Sequence, residues 1–180
     1  VELPMQPSCF AGVVIVGEDL YIFGWPDENG SANLVKKLNL ESGEISPTSL
    51  PMPPKREGVL HFFESDGCIY LLYCSDDVYI DGTNWNPVPC YVLKPEVGPF
   101  WIPLPHAPNS ISDASAKLNI GKEIVFLGGD PSSIWEGTGT ASVWKFGKGT
   151  QTWTQLPSML RARADHGAVL VDGCIWVFGG

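Results

Sequence analysis

Any chemistry in this 180-residue chain would have to come from three histidines, five cysteines and twenty acidic side chains, and their spacing argues against most of it. His61, His106 and His166 are scattered, with no His-Glu-x-x-His pattern to set two imidazoles on one helical face for zinc. No Cys-x-x-Cys brings two thiolates to a metal. The Gly-x-Ser-x-Gly elbow that exposes a nucleophilic serine is missing too. The glycine doublets lack the Gly-x-Gly-x-x-Gly spacing and following helix that let a backbone approach a dinucleotide. The chain is therefore expected to hold no catalytic residues, no cofactor and no metal, and not to be an enzyme. Cys74 and Cys90 flank one loop and would be placed to pair under oxidising conditions. Cys68 and Cys174 each open an apolar run, the pattern of small buried thiols in a reducing, cytoplasmic setting.

Binding has better material. Protein interfaces are anchored by exposed aromatic and charged side chains. Trp25, Tyr79, Trp85 and Trp135 stand in the polar stretches 25–33, 74–89 and 129–141, beside Asp27, Glu28, Asp76, Asp77, Asp81, Asp130 and Glu136. Such a mixture suits a docking surface for a partner with basic residues; alternatively, each aromatic ring folds back over its own loop. A second set of stretches, 5–11, 52–58, 105–114 and 159–166, carries Lys55, Arg56, Arg161 and Arg163. Arg56 and Arg163 each follow a methionine by four residues, Met52 and Met159, and so occupy equivalent places. A net charge of −9 speaks against nucleic acid, which needs a basic face against phosphate. The apolar runs fall well short of the ~20 residues that cross a bilayer, so no membrane partner is expected.

The elements that would position these groups repeat. Leu20-Tyr21-Ile22-Phe23-Gly24, Ile69-Tyr70-Leu71-Leu72-Tyr73, Ile124-Val125-Phe126-Leu127-Gly128 and Ile175-Trp176-Val177-Phe178-Gly179 end at steps of 49, 55 and 51 residues. Leu3-Pro4, Leu50-Pro51, Leu104-Pro105 and Leu156-Pro157 keep step at 47, 54 and 52. Each apolar run follows an alternating strand and a tight turn: Gly17-Glu18-Asp19, Ser65-Asp66-Gly67, Gly121-Lys122 and Asp172-Gly173. The run itself, apolar at nearly every position, reads as a strand buried on both faces and as the innermost of its unit. Third strands follow at Leu34 to Leu40, Cys90 to Lys94 and Ser142 to Phe146; fourth strands start near Ile45, Trp101 and Trp153. No helical period is sustained. A repeat near 50 residues built from short strands is the pattern of a β-propeller, whose function sits on its loops.

The third unit carries the most specific pattern: Gly128-Gly129, Val143-Trp144-Lys145-Phe146, Trp153 seven residues after Phe146, Leu156-Pro157, and Arg163-x-x-His166 before the next strand and Gly179-Gly180. It closely resembles the kelch repeat, and the resemblance extends over essentially the whole chain. Departures are Gly24-Trp25 and Tyr73-Cys74 in place of the double glycine, Ile45 in place of the fourth-strand tryptophan, and no histidine three residues after Arg56. The resemblance implies an all-β kelch-type β-propeller of four-stranded antiparallel blades, with blade-like units at about 11–51, 58–105, 115–157 and a partial one at 166–180. About three and a half blades do not close a ring, which takes about four to eight. Completion by residues outside this segment, or by another chain, is therefore expected.

Within that scaffold the glycines let backbones pack closely, and Trp101 and Trp153 bring large apolar bodies between neighbouring blades. Arg163 and His166 are expected to anchor the inter-blade loop through hydrogen bonds to carbonyls. Kelch substrate receptors often read acidic peptides with arginines near such positions; Lys55 and Arg161 are the freer candidates here. The implied function is a protein–protein interaction scaffold, in an actin-associated or cytoskeletal version. The alternative is the substrate-receptor domain of a cullin-RING ubiquitin ligase adaptor. The family also includes a copper oxidase, whose Tyr–Cys cross-link and histidine ligands are not reproduced in this sequence.

Overall fold

The computed structural model describes residues 12–26, 32–54, 59–74, 88–108, 111, 115–129 and 139–180, with the backbone alone at Trp25, Pro26, Ala32, Asn33, Val59 and Cys74. Among these residues there is no helix. The first sheet holds β1 (Gly12–Val16), β2 (Asp19–Pro26), β3 (Ala32–Asn39) and β4 (Ile45–Pro47), hydrogen-bonded in that order. The second holds β5 (Val59–Ser65), β6 (Cys68–Cys74), β7 (Val88–Leu93) and β8 (Trp101–Ala107), and the third β9 (Ala116–Ile120), β10 (Glu123–Leu127), β11 (Val143–Gly147) and β12 (Thr152–Leu156), again in chain order. A hairpin of β13 (Gly167–Val171) and β14 (Cys174–Phe178) follows. The described pairings are antiparallel, as short turns between consecutive strands require.

The turns set the register. Val171 pairs with Cys174 and leaves Asp172-Gly173 as the loop, at φ of 50° and 76°. Asp66-Gly67 does the same between β5 and β6, at 54° and 72°. Two successive positive φ values define the type I′ turn, whose twist matches that of the flanking strands. Val16 pairs with Asp19 and Ile120 with Glu123, where only the first loop residue, Gly17 or Gly121, is left-handed, at 61° and 58°. That is the type II′ pattern.

The contacts divide the chain into two compact units, one built from residues up to Tyr73 with Cys90–Pro103, the other around Leu104–Gly180. In the first, Val14, Phe23 and Val35 are buried against Ile69 and Leu93, with Tyr21, Leu50, Met52, Phe62 and Trp101 packed around them. Phe23 stacks on Phe62 with ring centres 4.5 Å apart, and Trp101 tilts against both. In the second, Ala116, Val125, Leu127 and Val143 form the buried centre, and Ala168, Ile175 and Val177 of the hairpin close over it. On the opposite face, Phe126 and Phe146 pack against Trp153 at 5.2 Å and 4.9 Å. Ile124, Val125, Phe126 and Leu127 are all buried because β10 is covered on both faces, which is why its sequence shows no alternation. An ion pair from the start of the second strand to the third recurs: Lys37 to Asp19 at 2.8 Å and Lys145 to Glu123 at 2.6 Å.

Two expectations are corrected. The second strand of each four-stranded sheet is flanked on both sides, so it is not the innermost. In the first unit β1 lies beside β5, and in the second β9 lies beside β13, so the first strands are the ones that neighbour each other. The thiols also differ from expectation. Cys174 is exposed and Cys68 half-buried, because each sits at a strand start next to a hairpin turn, where the pleat reaches solvent. Cys90 is buried in β7, while the side chain of Cys74, its expected partner, lies outside the described residues.

Candidate functional site

The segment that carries the recognisable motif also carries the best-defined surface. At the end of β10 the chain must turn sharply, and Gly128 and Gly129 do so at φ of 59° and 108°. The turn exposes four backbone groups, and each finds a partner. Gly128 N–H donates to the Ser142 carbonyl at 2.9 Å and Gly129 N–H to the Arg163 carbonyl at 2.9 Å. The Gly129 carbonyl accepts from Thr140 N–H at 2.8 Å, and the Gly128 carbonyl from the Ser115 hydroxyl at 2.8 Å. A Cβ on Gly128 would stand 2.5 Å from the Arg163 carbonyl oxygen and 2.7 Å from Cε1 of His166. Only glycine meets both the angle and the space.

The loop after β12 docks on this platform. Arg163 N–H donates to the Thr140 carbonyl at 3.0 Å, Met159 N–H donates to the Ala141 carbonyl at 2.8 Å, and Thr140 and Arg163 form an isolated β-bridge. The Arg163 guanidinium donates to the Gly179 carbonyl, tying the loop to the hairpin that follows. Gly180 also lies against it: a Cβ there would stand 2.8 Å from the Ala164 carbonyl oxygen. Arg163 and the two glycine pairs are thus spent on holding one loop between neighbouring strands.

His166 holds the loop differently from expectation. Its ring is buried, 8% exposed, and neither nitrogen closes a well-formed hydrogen bond, although the carbonyls of Ala164 and Leu127 are near. It anchors by packing. Burial holds its pKa below the ordinary histidine value, and the Arg163 charge pushes the same way, against a weaker upward pull from Asp165. Other titratable groups offer little chemistry. Burial pushes the Tyr70 phenol up to about 12 and raises the Cys68 thiol, so neither supplies an anion at neutral pH. Among the described residues no three His, Cys, Asp or Glu side chains converge on a metal-sized site.

The remaining candidates divide. Arg161 is exposed, on the loop described above. Trp25 continues β2 past a register shift, with its side chain outside the described residues. Tyr79, Trp85, Trp135, Lys55 and Arg56 lie outside them altogether. The structure gives a role to a residue that the sequence shows only as a departure from the double glycine. Tyr73 stands where the other units have glycine, is buried, and its hydroxyl donates to the Pro54 carbonyl in the loop that precedes its sheet. The signal was available: a buried tyrosine needs a partner for its hydroxyl.

Comparison with known proteins matches this geometry. The solved structure of YjhT superposes with a TM-score of 0.66 over 98% of this chain and 60% of its own, at 16% sequence identity. The fold is a kelch-type β-propeller. In sequence, Kelch-like protein 21 of Bos taurus and of Mus musculus is 29% identical over 91 residues, half of this chain and 14% of each relative. No family model matches the chain. Seen as kelch blades, the double glycine, the Arg-x-x-His loop and the fourth-strand tryptophan are parts of one joint between neighbours.

Proposed function

We propose that this kelch segment is a protein–protein interaction platform, binding through its loops and catalysing no reaction. The observation that supports this most is the division of labour on the loop after β12. Arg163 and His166 are committed to the scaffold, while Arg161, two residues away, stays exposed beside them. A rigid frame presenting a solvated cation is the arrangement of a docking loop. The aromatic loops carrying Trp25, Tyr79, Trp85 and Trp135 supply further anchors in this reading.

The finer version is an actin-associated scaffold in the cytoplasm, which rests on the kelch resemblance. Co-sedimentation with filamentous actin tests it: pelleting that saturates and is lost at high salt supports it, and a chain left wholly in the supernatant removes it. The alternative is a substrate-receptor domain of a cullin-RING ligase adaptor, which also rests on the resemblance. It requires a BTB or F-box module in the full-length chain and co-purification with a cullin. A copper oxidase, the reading opposed to both, requires bound metal and a Tyr–Cys cross-link visible in the intact mass.

A further inference from the structure

The turn between the third and fourth strands closes the same way in each four-stranded sheet. Gly43 N–H donates to the Asn39 carbonyl at 2.9 Å, Gly98 N–H to the Lys94 carbonyl at 3.3 Å, and Gln151 N–H to the Gly147 carbonyl at 2.7 Å. Between these residues the first tip carries Leu40-Glu41-Ser42, the third Lys148-Gly149-Thr150, and the second Pro95-Glu96-Val97. Val97 therefore stands where its counterparts are hydroxylic, and it is 64% exposed. Pro99 then lengthens the return, and Phe100 N–H donates to the Gly98 carbonyl at 2.9 Å. The Phe100 ring lies against Gly98, where a Cβ would stand 2.6 Å from it, and is still 51% exposed. A single exposed apolar side chain, such as Leu40 on the first tip, is ordinary. Val97 and Phe100 are two, flanking one glycine. Pro95 and Pro99 fix φ on either side of Val97, so the pair stands on ordered backbone and seats in a partner at little conformational cost.

The charge around the pair is acidic. Burial raises the pKa of the Cys68 thiol at the start of β6; Lys94 lowers it, and Asp66, Glu64 and Glu96 raise it, which places all four charges around this end of the sheet. Glu64 accepts Gly67 N–H at 2.8 Å, and Asp66 and Glu96 are exposed. Three carboxylates against one ammonium group attract a basic partner and repel an anionic one. Two side chains also cover far less than the ~800 Å² per partner of a standard interface between folded proteins, which favours a short segment.

We propose that Val97 and Phe100, rimmed by Glu64, Asp66 and Glu96, dock a short basic amphipathic helix of a protein partner. The helix lays its apolar face on the two side chains and turns its lysines or arginines to the carboxylates. The site lies past the end of β7, whereas the stretch 74–89 leads into the start of that strand. It is therefore separate from the aromatic loops, and it stands or falls apart from the platform reading.

Fluorescence anisotropy with three labelled synthetic peptides of about 18 residues tests it. One is an amphipathic leucine–lysine helix, one its leucine–glutamate counterpart, and one a scramble of the first that keeps its composition but has no apolar face. Each is titrated against wild type, against the double variant Val97→Ser with Phe100→Thr, and against Glu96→Lys. The expected result is binding of the leucine–lysine helix to wild type, about tenfold or more weaker in both variants and weaker at high salt, with no binding of the glutamate peptide. Should the double variant melt below wild type, Glu96→Lys, which removes no apolar contact, carries the comparison. A leucine–lysine helix that fails to bind wild type would overturn the proposal. So would equal affinity for the double variant, since the attraction would then be to the net charge of the chain alone. A scramble that binds as well as the helix overturns it too, because no apolar face is being read. Sedimentation of the free chain is the last arm; self-association lost in the double variant would make a second copy the occupant and end the proposal.

Discussion

The indole N–H of Trp153 donates to the carbonyl of Pro105, 3.1 Å away and 48 residues earlier. Trp101 repeats the arrangement with Pro51, at 3.2 Å and 50 residues. Two sequence landmarks, the fourth-strand tryptophan and the Leu-Pro step, are therefore the donor and acceptor of one bond between consecutive repeats. The bond explains why both landmarks recur with the same period. It also explains why the tryptophan is not simply any large apolar residue.

Trp153→Phe removes the donor together with part of the indole's bulk, so it should lower unfolding stability by about 1–2 kcal/mol, a hydrogen bond plus some lost packing. Trp153→Ala also removes the contacts with Phe126 and Phe146. It should cost about 2–4 kcal/mol, somewhat below a fully buried tryptophan because Trp153 is half-buried. Urea denaturation reads both. Equal stability of the phenylalanine variant and wild type would mean that the indole N–H contributes only packing geometry.

Gly121 and Gly128 form a matched pair, with φ of 58° and 59°. A Cβ at Gly121 would meet nothing within 4 Å, whereas one at Gly128 would press on the Arg163 carbonyl at 2.5 Å. Gly121→Ala should cost about 1–2 kcal/mol, the strain of a left-handed alanine. Gly128→Ala should cost more than that, since backbone must also shift. Urea midpoints of the two variants measure the difference, which is the steric contribution of the joint. If the two fall together, the loop after β12 yields freely and the close packing there is not needed for stability.

The frame was legible in the sequence because period-two alternation, Asp-Gly turns and unbroken apolar runs are local signals. Gly12 to Val16, Ala116 to Ile120 and Gly167 to Val171 are strands where the alternation places them. What a strand neighbours is not local. The apolar density of Ile124 to Leu127 records burial on both faces, not closeness to an axis, and this made the second strand look innermost. In the candidate site, the types of Arg163 and His166 were readable, but the difference between them was not. A guanidinium reaching the Gly179 carbonyl and an imidazole held by packing share one sequence motif. The exposure of Leu160 had no sequence signal, since it depends on the clamps at Met159 and Arg163.

Tyr73 replaces a glycine without loosening its joint, because its hydroxyl reaches the Pro54 carbonyl while its ring sits edge-on to Tyr91 at 5.9 Å. Where Arg163 sends a side-chain donor from loop to strand, Tyr73 sends one from strand to loop. Tyr73→Phe keeps the ring and removes the donor, so it should destabilise by about 1 kcal/mol. Tyr73→Gly should cost several times more, as a cavity opens where the ring was. Thermal unfolding in the two variants checks the order; a glycine variant as stable as wild type would mean that the joint accepts either residue and that the hydroxyl is incidental.

His166 should make the domain acid-sensitive. Its pKa in the folded chain lies below the ordinary value of 6.5, because burial and the Arg163 charge both disfavour the imidazolium. As pH falls from about 7 through 6.5, the unfolded chain takes up a proton that the folded chain does not, so stability declines. The decline ends once pH passes below the folded pKa, where both states are protonated. Asp19 titrates in a separate window. Its pKa is held below 3.8 by Lys37 and Asn39, so it stabilises the fold at higher pH and that contribution is lost only in stronger acid. His166→Gln removes the titration and should flatten the melting temperature between about pH 7 and pH 5 relative to wild type. Charged groups other than His166 act equally in both chains, so the difference between the two curves belongs to this ring. Parallel curves would mean that the imidazolium finds the carbonyls of Ala164 and Leu127 and is tolerated in place.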